Sequence, residues 1–556
     1  MVTMRRVFIL LFVVAASSLR ADFPVRAPDN KGTDFFVAFP LNFSGTPALT
    51  LMIANEAAID VKVELSAPGF FSEVNVAGSS VLSVPIVPQL QITAVNAVSD
   101  KGVRVRSVDA FDSTKEGAPI AVYALSQTCN APASRMPPGC RPTDSLTGSA
   151  GAYVALPADV LSTEYRAATG LGVFSSAIGT QVTVVGTEEN TTVTITAPVD
   201  VTISFVKIPA GTPFQVPLNE LQAFLLQVTS GDLTGTLVTA DKPVAVFSGN
   251  QNGSTGGQPD HIVEQMVPVN AWGNDFVVAP IVARNGAGYL VRVLAHQDGT
   301  DVEIDGAIKA TLNAGQFHLH NQTTSSAISL RTSKPALVVQ FNKSDASAML
   351  VPPVNQFSRD YLFKTPGAAP PNSPFPNATG SNHLNIVVKN GDEAGLLLNN
   401  AQLPATTEWT LVEDYRYARV GIDSGTIYKL EHQEPTVRFG AWVYGHFITT
   451  IKMGFFIQQR FEGYGYAAGQ LLNNLPLCAD DHAHLSAQAQ SRAYRGLANH
   501  GQGWRRCLDP HREDQRGAAV RVPAELLRPP VEDGELPDPA VPGGRSIVLE
   551  DAGPPQ

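Results

Sequence analysis

Asp260, His261 and Glu264 form the closest approach to a reactive cluster in this sequence, because a D-H-x-x-E spacing could gather two carboxylates and an imidazole around a metal ion. Metal ligands must converge and be held by further hydrogen bonds, and three residues at the start of a strand guarantee neither. Hydrogen bonding to strand ends is the favoured role for these side chains, so no metal and no cofactor is expected. Asp298, Asp301, Glu303 and Asp305 sit in HQDGTDVEIDG, where the last three alternate along a strand; without EF-hand spacing they read as a solvated strand face. Nucleophilic catalysis lacks its signatures: there is no G-x-S-x-G, no H-E-x-x-H and no G-x-x-x-x-G-K-S/T. GSTGG (253–257) joins strands and opens no helix that could hold phosphate, so it reads as a linker. The expectation is a protein that is not an enzyme. A glycoside hydrolase is the alternative, since two acids brought together by the fold suffice and spacing cannot reveal them. Trp272, Phe357 and the aromatics of FGAWVYGHF (439–447) are expected to be core anchors more than exposed platforms.

The elements that carry these residues are strands. From Asp22 to about Gln470, short runs rich in Val, Ile, Thr and Phe alternate with period two between Gly, Pro, Asn and Asp, as in DVKVELSA, TTVTITA, YLVRVLA and TDVEIDG. No long amphipathic helix interrupts them. An opening of acid, aromatic and apolar strand recurs at Asp34-Phe35, Glu164-Tyr165, Asp275-Phe276 and Asp360-Tyr361. Related lead-ins precede three of the four: LPADVLSTEY, VPVNAWGNDF and PPVNQFSRDY. A strand started by proline (Pro119, Pro243, Pro335, Pro435) closes each repeat, where a residue without a donor fits. The predicted fold is all-β, with about four tandem, degenerate β-sandwich-like modules near 31–128, 161–250, 272–345 and 357–450. Openings 130, 111 and 85 residues apart argue against a propeller of uniform blades. A propeller-like closed arrangement is nevertheless the alternative architecture.

Charge and composition set the partners and the address. The chain has 556 residues, 16% of them charged, and a net charge of −11, which excludes a cationic nucleic-acid binder. Arg5-Arg6, an apolar run (Val7 to Ala16) and small residues up to Ala21 predict a secretory signal peptide over 1–21 and no transmembrane span, hence a secreted, extracellular protein. Asn42, Asn190, Asn252, Asn321, Asn342 and Asn377 each begin an N-x-S/T glycosylation triplet. Cys129 and Cys140 flank a Pro/Gly-bearing loop and are expected to form a disulfide, which would leave the cysteine-free 253–257 loop the more mobile of the two; the pairing of Cys478 and Cys507 is open. Residues 476–556 hold nine arginines but no Lys, Thr or Phe, with Pro-rich stretches, and are expected to form a disordered tail, an interaction arm or a mis-joined segment.

KGTDFFVAFPLNF (31–43), DKPVAVFSGNQ (241–251), DHIVEQMVPVNAWGNDFVVAP (260–280), RVLAHQDGTDVEIDG (292–306), WVYGHF (442–447) and GYGYAAG (463–469) resemble the IgGFc-binding protein N-terminal domain family over about 440 residues. The resemblance implies extracellular recognition or adhesion, with an extracellular protein or glycoprotein as ligand. Binding of IgG Fc is not assumed: the family commonly has cysteines flanking the loop before the Asp-His pair, and here Gly/Asn residues and Pro259 replace them. A structural component of mucus or matrix is a third expectation.

Overall fold

The computed structural model of the chain describes residues 28–43, 46–129, 149–170, 178–257, 259–282, 286, 288–367, 381–453, 456–472 and 520–521. The expected signal peptide, Cys140, Asn377 and nearly all of the expected tail lie outside the described residues. Those described are strands joined by turns and three-residue 3-10 turns.

Alternation decides which strands lie outside. VKVELSA, TTVTIT and TDVEI bury every second residue, so each turns one face to solvent. AGAYV (150–154), DHIVEQ (260–265) and YLVRVLA (289–295) are buried on both faces.

The strands group into four units. Unit one contains β1 (Lys31–Gly32), β2 (Asp34–Val37), β3 (Thr46–Asn55), β4 (Val61–Ala67), β5 (Phe70–Val76), β6 (Ser80–Ile86), β7 (Ala97–Ser99), β8 (Val103–Val108), β9 (Ile120–Cys129) and β10 (Ala150–Val154). It has two sheets, β1-β9-β3-β6 with β10 added to β9, and β2-β8-β4-β5. Unit two contains β11 (Ser162–Arg166), β12 (Ile178–Gly186), β13 (Thr191–Thr196), the hairpin β14 (Val201–Ile203) and β15 (Val206–Ile208), β16 (Pro213–Leu218), β17 (Ala223–Val228), β18 (Leu237–Gly253) and β19 (Asp260–Gln265). Unit three contains β20 (Gly273–Val278), β21 (Tyr289–Ala295), β22 (Thr300–Ile304), β23 (Ala307–Leu312), β24 (Phe317–Gln322), β25 (Ile328–Asn342) and β26 (Ala348–Leu350). Unit four contains β27 (Asp360–Lys364), β28 (Asn382–Lys389), β29 (Leu396–Leu398), β30 (Ala401–Gln402), β31 (Trp409–Val412), β32 (Tyr415–Ile422), β33 (Ile427–His432), β34 (Phe439–Met453) and β35 (Phe456–Ala467), again in two sheets. From the expected tail, β36 (Val520–Arg521) adds in parallel to β16.

One topology recurs. In unit two, residues 237–240 of β18 pair with β13, and residues 244–252 pair with β12. In unit three, β25 changes partner in the same way, from β22 (330–332) to β21 (336–342). Pro243 and Pro335 therefore sit inside a continuous strand, not at its first residue as the sequence suggested. They mark the corner where the strand leaves one half-sheet for the other, and a residue without an N–H breaks no ladder there. In units one and four the corresponding strand is interrupted, by residues 109–119 between β8 and β9 and by 433–438 between β33 and β34, and each unit divides into two sheets.

The units close into a ring. Residues 28–30 and 470–472 meet where the Leu472 N–H donates to Pro28 O (2.7 Å) and the Asn30 N–H to Gln470 O (3.1 Å). Hydrophobic cores run across the seams: one spans units one and two and reaches Leu294 and Phe341 of unit three, another joins Met52 and Tyr123 to Phe363 and Tyr466, and a third joins Val291 and Val338 to Val387 and Trp442.

Every seam also carries a charge contact, and the opening acid of each unit stands at it. Arg104 grips Asp34 through two bonds (2.9 and 2.6 Å) and reaches Glu220 of unit two at 2.6 Å. Glu164 faces His296 of unit three at 3.8 Å. Arg331 lies between Asp275 of its own unit and Glu413 of unit four. Asp360 holds the buried Lys31 of unit one at 2.7 Å. The seam between units two and three has a deeper pair besides: Arg292, whose side chain is fully buried, meets Asp232 at 2.9 Å while its guanidinium lies 4.2 Å from the Phe317 ring centre.

Candidate functional site: the axial strands and their connections

In each unit the long closing strand is followed by one more antiparallel strand, namely β10, β19, β26 or β35. These four line the middle of the ring. Gly151, His261, Ser347, Tyr464 and Gly465 come together at their meeting point and leave no room for a water molecule. Glycine allows the approach: a Cβ on Gly151 would stand 2.8 Å from His261 Cδ2, and one on Gly465 2.6 Å from Met349 Cγ.

Asp260 ties three of these strands, β10, β19 and β35, together. Its Oδ1 accepts from Ser149 Oγ (2.8 Å), Ala150 N (2.7 Å) and His261 N (2.8 Å), and its Oδ2 accepts from Gly463 N (2.6 Å). A carboxylate filled in this way could turn to a cation only by abandoning backbone donors of units one and four. His261 is fully buried, with Nδ1 at 2.9 Å from Asn250 O. That contact places the proton on Nδ1, so Nε2 is a bare acceptor, and it has no partner. Burial pushes the His261 pKa down to about 4, so the ring is neutral. Glu264 is also buried, and desolvation holds its carboxyl well above the usual range against a backbone hydrogen bond from Leu350. Among the described residues, no three His, Cys, Asp or Glu side chains are grouped to hold a metal ion.

The remaining sequence candidates have definite places. Asp298 accepts from Ala314 N, Asp301 from Thr311 Oγ1 and Asp305 from Ser329 N, while Glu303 faces Arg331 at 3.6 Å. Trp272, Phe357 and Trp442 are buried, and the Trp272 N–H donates to Val267 O (3.2 Å). Asn190 and Asn321 are exposed, whereas Asn42, Asn252 and Asn342 are buried. Burial leaves those three amides no room for a glycan: Asn42 donates to Ser126 Oγ (3.1 Å), and Asn342 accepts from Ser344 N and Oγ (3.0 and 2.9 Å). Cys129 ends β9, and its expected bond to Cys140 falls outside the described residues. Within GSTGG, Ser254 and Thr255 are buried, and Thr255 Oγ1 donates to Asn342 O, so this linker is seated on unit three.

Among the described residues, connections of units two, three and four leave the ring beside Asp260, each joining a closing strand to its axial strand. They differ from one another: residues 254–257 and 259 in unit two, 343–347 in unit three and, in unit four, the ribbon formed where β34 and β35 continue pairing past Gly445 and Gly463 to Met453 and Phe456.

Comparison with known proteins bears directly on this arrangement. The family model IgGFc binding protein matches residues 151–445, from axial strand β10 to β34. The chain belongs to the IgGFc-binding protein family. Within it, the human (Homo sapiens) IgGFc-binding protein is 26% identical over 299 residues, 52% of this chain but 5% of that protein. The chain thus matches a small part of that relative. Among solved structures, a Ca2+-stabilised, ice-binding adhesin of an Antarctic bacterium aligns over 78% of this chain and 98% of its own at 12% identity, with a TM-score of 0.10.

Sequence reading missed the electrostatic seams and one polar cluster, His383, Arg419 and His446. These residues lie on three different strands, with no local spacing to announce them.

Proposed function

We propose that this member of the IgGFc-binding family is a secreted binding or adhesion protein, recognising an extracellular glycoprotein or other macromolecule with the face on which the axial connections of units two, three and four emerge. The observation that carries the reading is the contrast on this face between a fixed centre, tied by Asp260, and connections that differ from unit to unit. Loops set on a rigid frame are where recognition is usually placed. The better formed of the two best pockets has a cavity volume of about 10 Å³, room for no more than about one water molecule, and the other has none. Small-molecule sites usually need roughly 300–1,000 Å³, so a macromolecular surface fits better. Glu264, whose carboxyl burial holds well above its usual range, is sealed between strands, which disfavours it as the acid of a glycoside hydrolase.

The test is to probe arrays of extracellular proteins and glycans with the full-length protein while assaying glycoside cleavage. Saturable binding without turnover is the expected result. Cleavage of a glycoside, or an empty array, would sink the proposal.

A further inference from the structure

We propose that Arg419, His383 and His446, on one face of the central sheet of unit four, form a binding site for the anionic group of an acidic sugar, a carboxylate or sulfate. The inference deepens the recognition function proposed above and rests on it for the ligand's source.

Register brings these residues together. His383 on β28 lies opposite Gly421 of β32 and Tyr444 of β34, and Asn385 lies opposite Arg419 and Trp442. Side chains paired across strands, and those two apart along one strand, share a face, so His383, Asn385, Arg419, Tyr444 and His446 all lie on one side. Unit three covers part of that side: Pro280 O accepts from Asn385 Nδ2 (3.0 Å), and the Val282 N–H donates to the Tyr444 hydroxyl (3.2 Å). The face emerges from this cover at His383, Arg419 and His446, all half-buried. The His383 ring stacks on Tyr444 at 5.4 Å, and His446 Nδ1 is 3.2 Å from Ser381 Oγ.

The charges are one-sided. Arg104, Arg292 and Arg331 each face a carboxylate, but Arg419 meets none within 4.0 Å among the described residues, and its Nε is shielded from water without a hydrogen-bond partner. A buried guanidinium N–H left unpaired costs free energy that an oxyanion would recover. Burial, then Arg419, then His446 push the His383 pKa down to about 4, and no carboxylate is among the groups acting on it. Glu408, one residue before β31, and Asp345, packed beside Gly463, face the same region, and neither forms an ion pair with Arg419. A planar guanidinium fork with two imidazoles beside it matches a carboxylate or sulfate better than a neutral hydroxyl.

The full-length protein is titrated with 3′-sialyllactose, 3′-sulfolactose and lactose, following the His383 C2–H resonance and heat release. At least one acidic sugar is expected to bind about tenfold tighter than lactose, and R419Q and H383N should each abolish that preference. R419K, which keeps the charge but loses the fork, should retain part of it. Unfolding midpoints of the variants show whether the fold is intact, and the wild-type His383 shift on binding stands independently of any variant. The site is overturned if acidic and neutral sugars bind alike, if neither acidic sugar saturates below about 10 mM, or if folded R419Q binds as the wild type does. A macromolecular ligand whose binding ignored R419Q would overturn this site and leave the recognition function standing. An empty array beside intact sugar binding would do the reverse.

Discussion

The Asp260 carboxylate and the Gly463 amide, 203 residues apart in the chain, meet at 2.6 Å in the middle of the ring. Through its other oxygen the same side chain holds Ser149 and Ala150, so one carboxylate joins units one, two and four. Replacing it with alanine strands several buried donors. D260A should lose at least about 3 kcal/mol in denaturant unfolding, since each unsatisfied buried donor costs roughly 1–3 kcal/mol. D260N, which keeps one acceptor oxygen but turns an N–H against backbone donors, should lose nearly as much. A loss below about 1 kcal/mol in both would remove Asp260 from this role.

Acid should weaken the fold through its histidines. His261 and His383 are held down to about 4, against an ordinary value of 6.5. The unfolded chain takes up protons at these residues first as pH falls, so their stabilising share is complete above pH 6.5 and is lost toward pH 4. Each shift is worth up to about 3 kcal/mol at 1.36 kcal/mol per unit. Glu264 acts in the opposite sense: its raised carboxyl favours the fold below its unfolded value and costs stability as pH rises from there, so it offsets one histidine between about pH 4.5 and 6.5. Two histidines against one carboxyl leave a net loss on acidification. Urea unfolding of the wild type and of H383N at pH 7 and pH 5 checks this, with the smaller pH difference expected in H383N.

The all-β class, the four openings and the closing strands were legible because alternation and turn residues are local signals. The role of the openings was not. Asp34, Glu164, Asp275 and Asp360 share a position in the repeat, but their partners Arg104, His296, Arg331 and Lys31 come from different elements and sometimes from the next unit. DHIVEQ was legible as a distinctive block but not as a strand buried on both faces, because two carboxyls and an imidazole suggest solvent until the surrounding strands supply the donors. Pro243 and Pro335 were read as strand starts because proline usually stands there; a corner inside a strand satisfies the same lack of a donor.

The seam pairs should differ sharply in worth. Arg292 is fully buried between units two and three, so R292A leaves Asp232 unpaired and empties the space over Phe317, with an expected cost of about 3–5 kcal/mol. Arg331 and Glu413 are both partly exposed, and E413Q should cost less than about 1 kcal/mol. Comparing their denaturation midpoints decides the point, and equal effects would contradict the distinction.

Tyr361 and Tyr165 repeat a local device: each hydroxyl accepts from the N–H of the serine three residues earlier, Ser358 at 3.0 Å and Ser162 at 2.8 Å. Tyr361 also donates to Phe439 O. Y361F should therefore destabilise by about 1–3 kcal/mol and by more than Y165F, whereas Phe35 and Phe276 already serve the same position without a hydroxyl. Thermal unfolding of the two variants ranks them, and a larger cost for Y165F would reverse the argument.

Recognition through the axial connections is most directly tested by a hydrogen-exchange footprint of the full-length protein with and without a macromolecule selected on the array. Protection gathered in 251–257, 343–347 and the 446–462 ribbon is the predicted result. Protection confined to the outer edges, β5 and β23, with the axial connections unchanged, would contradict it.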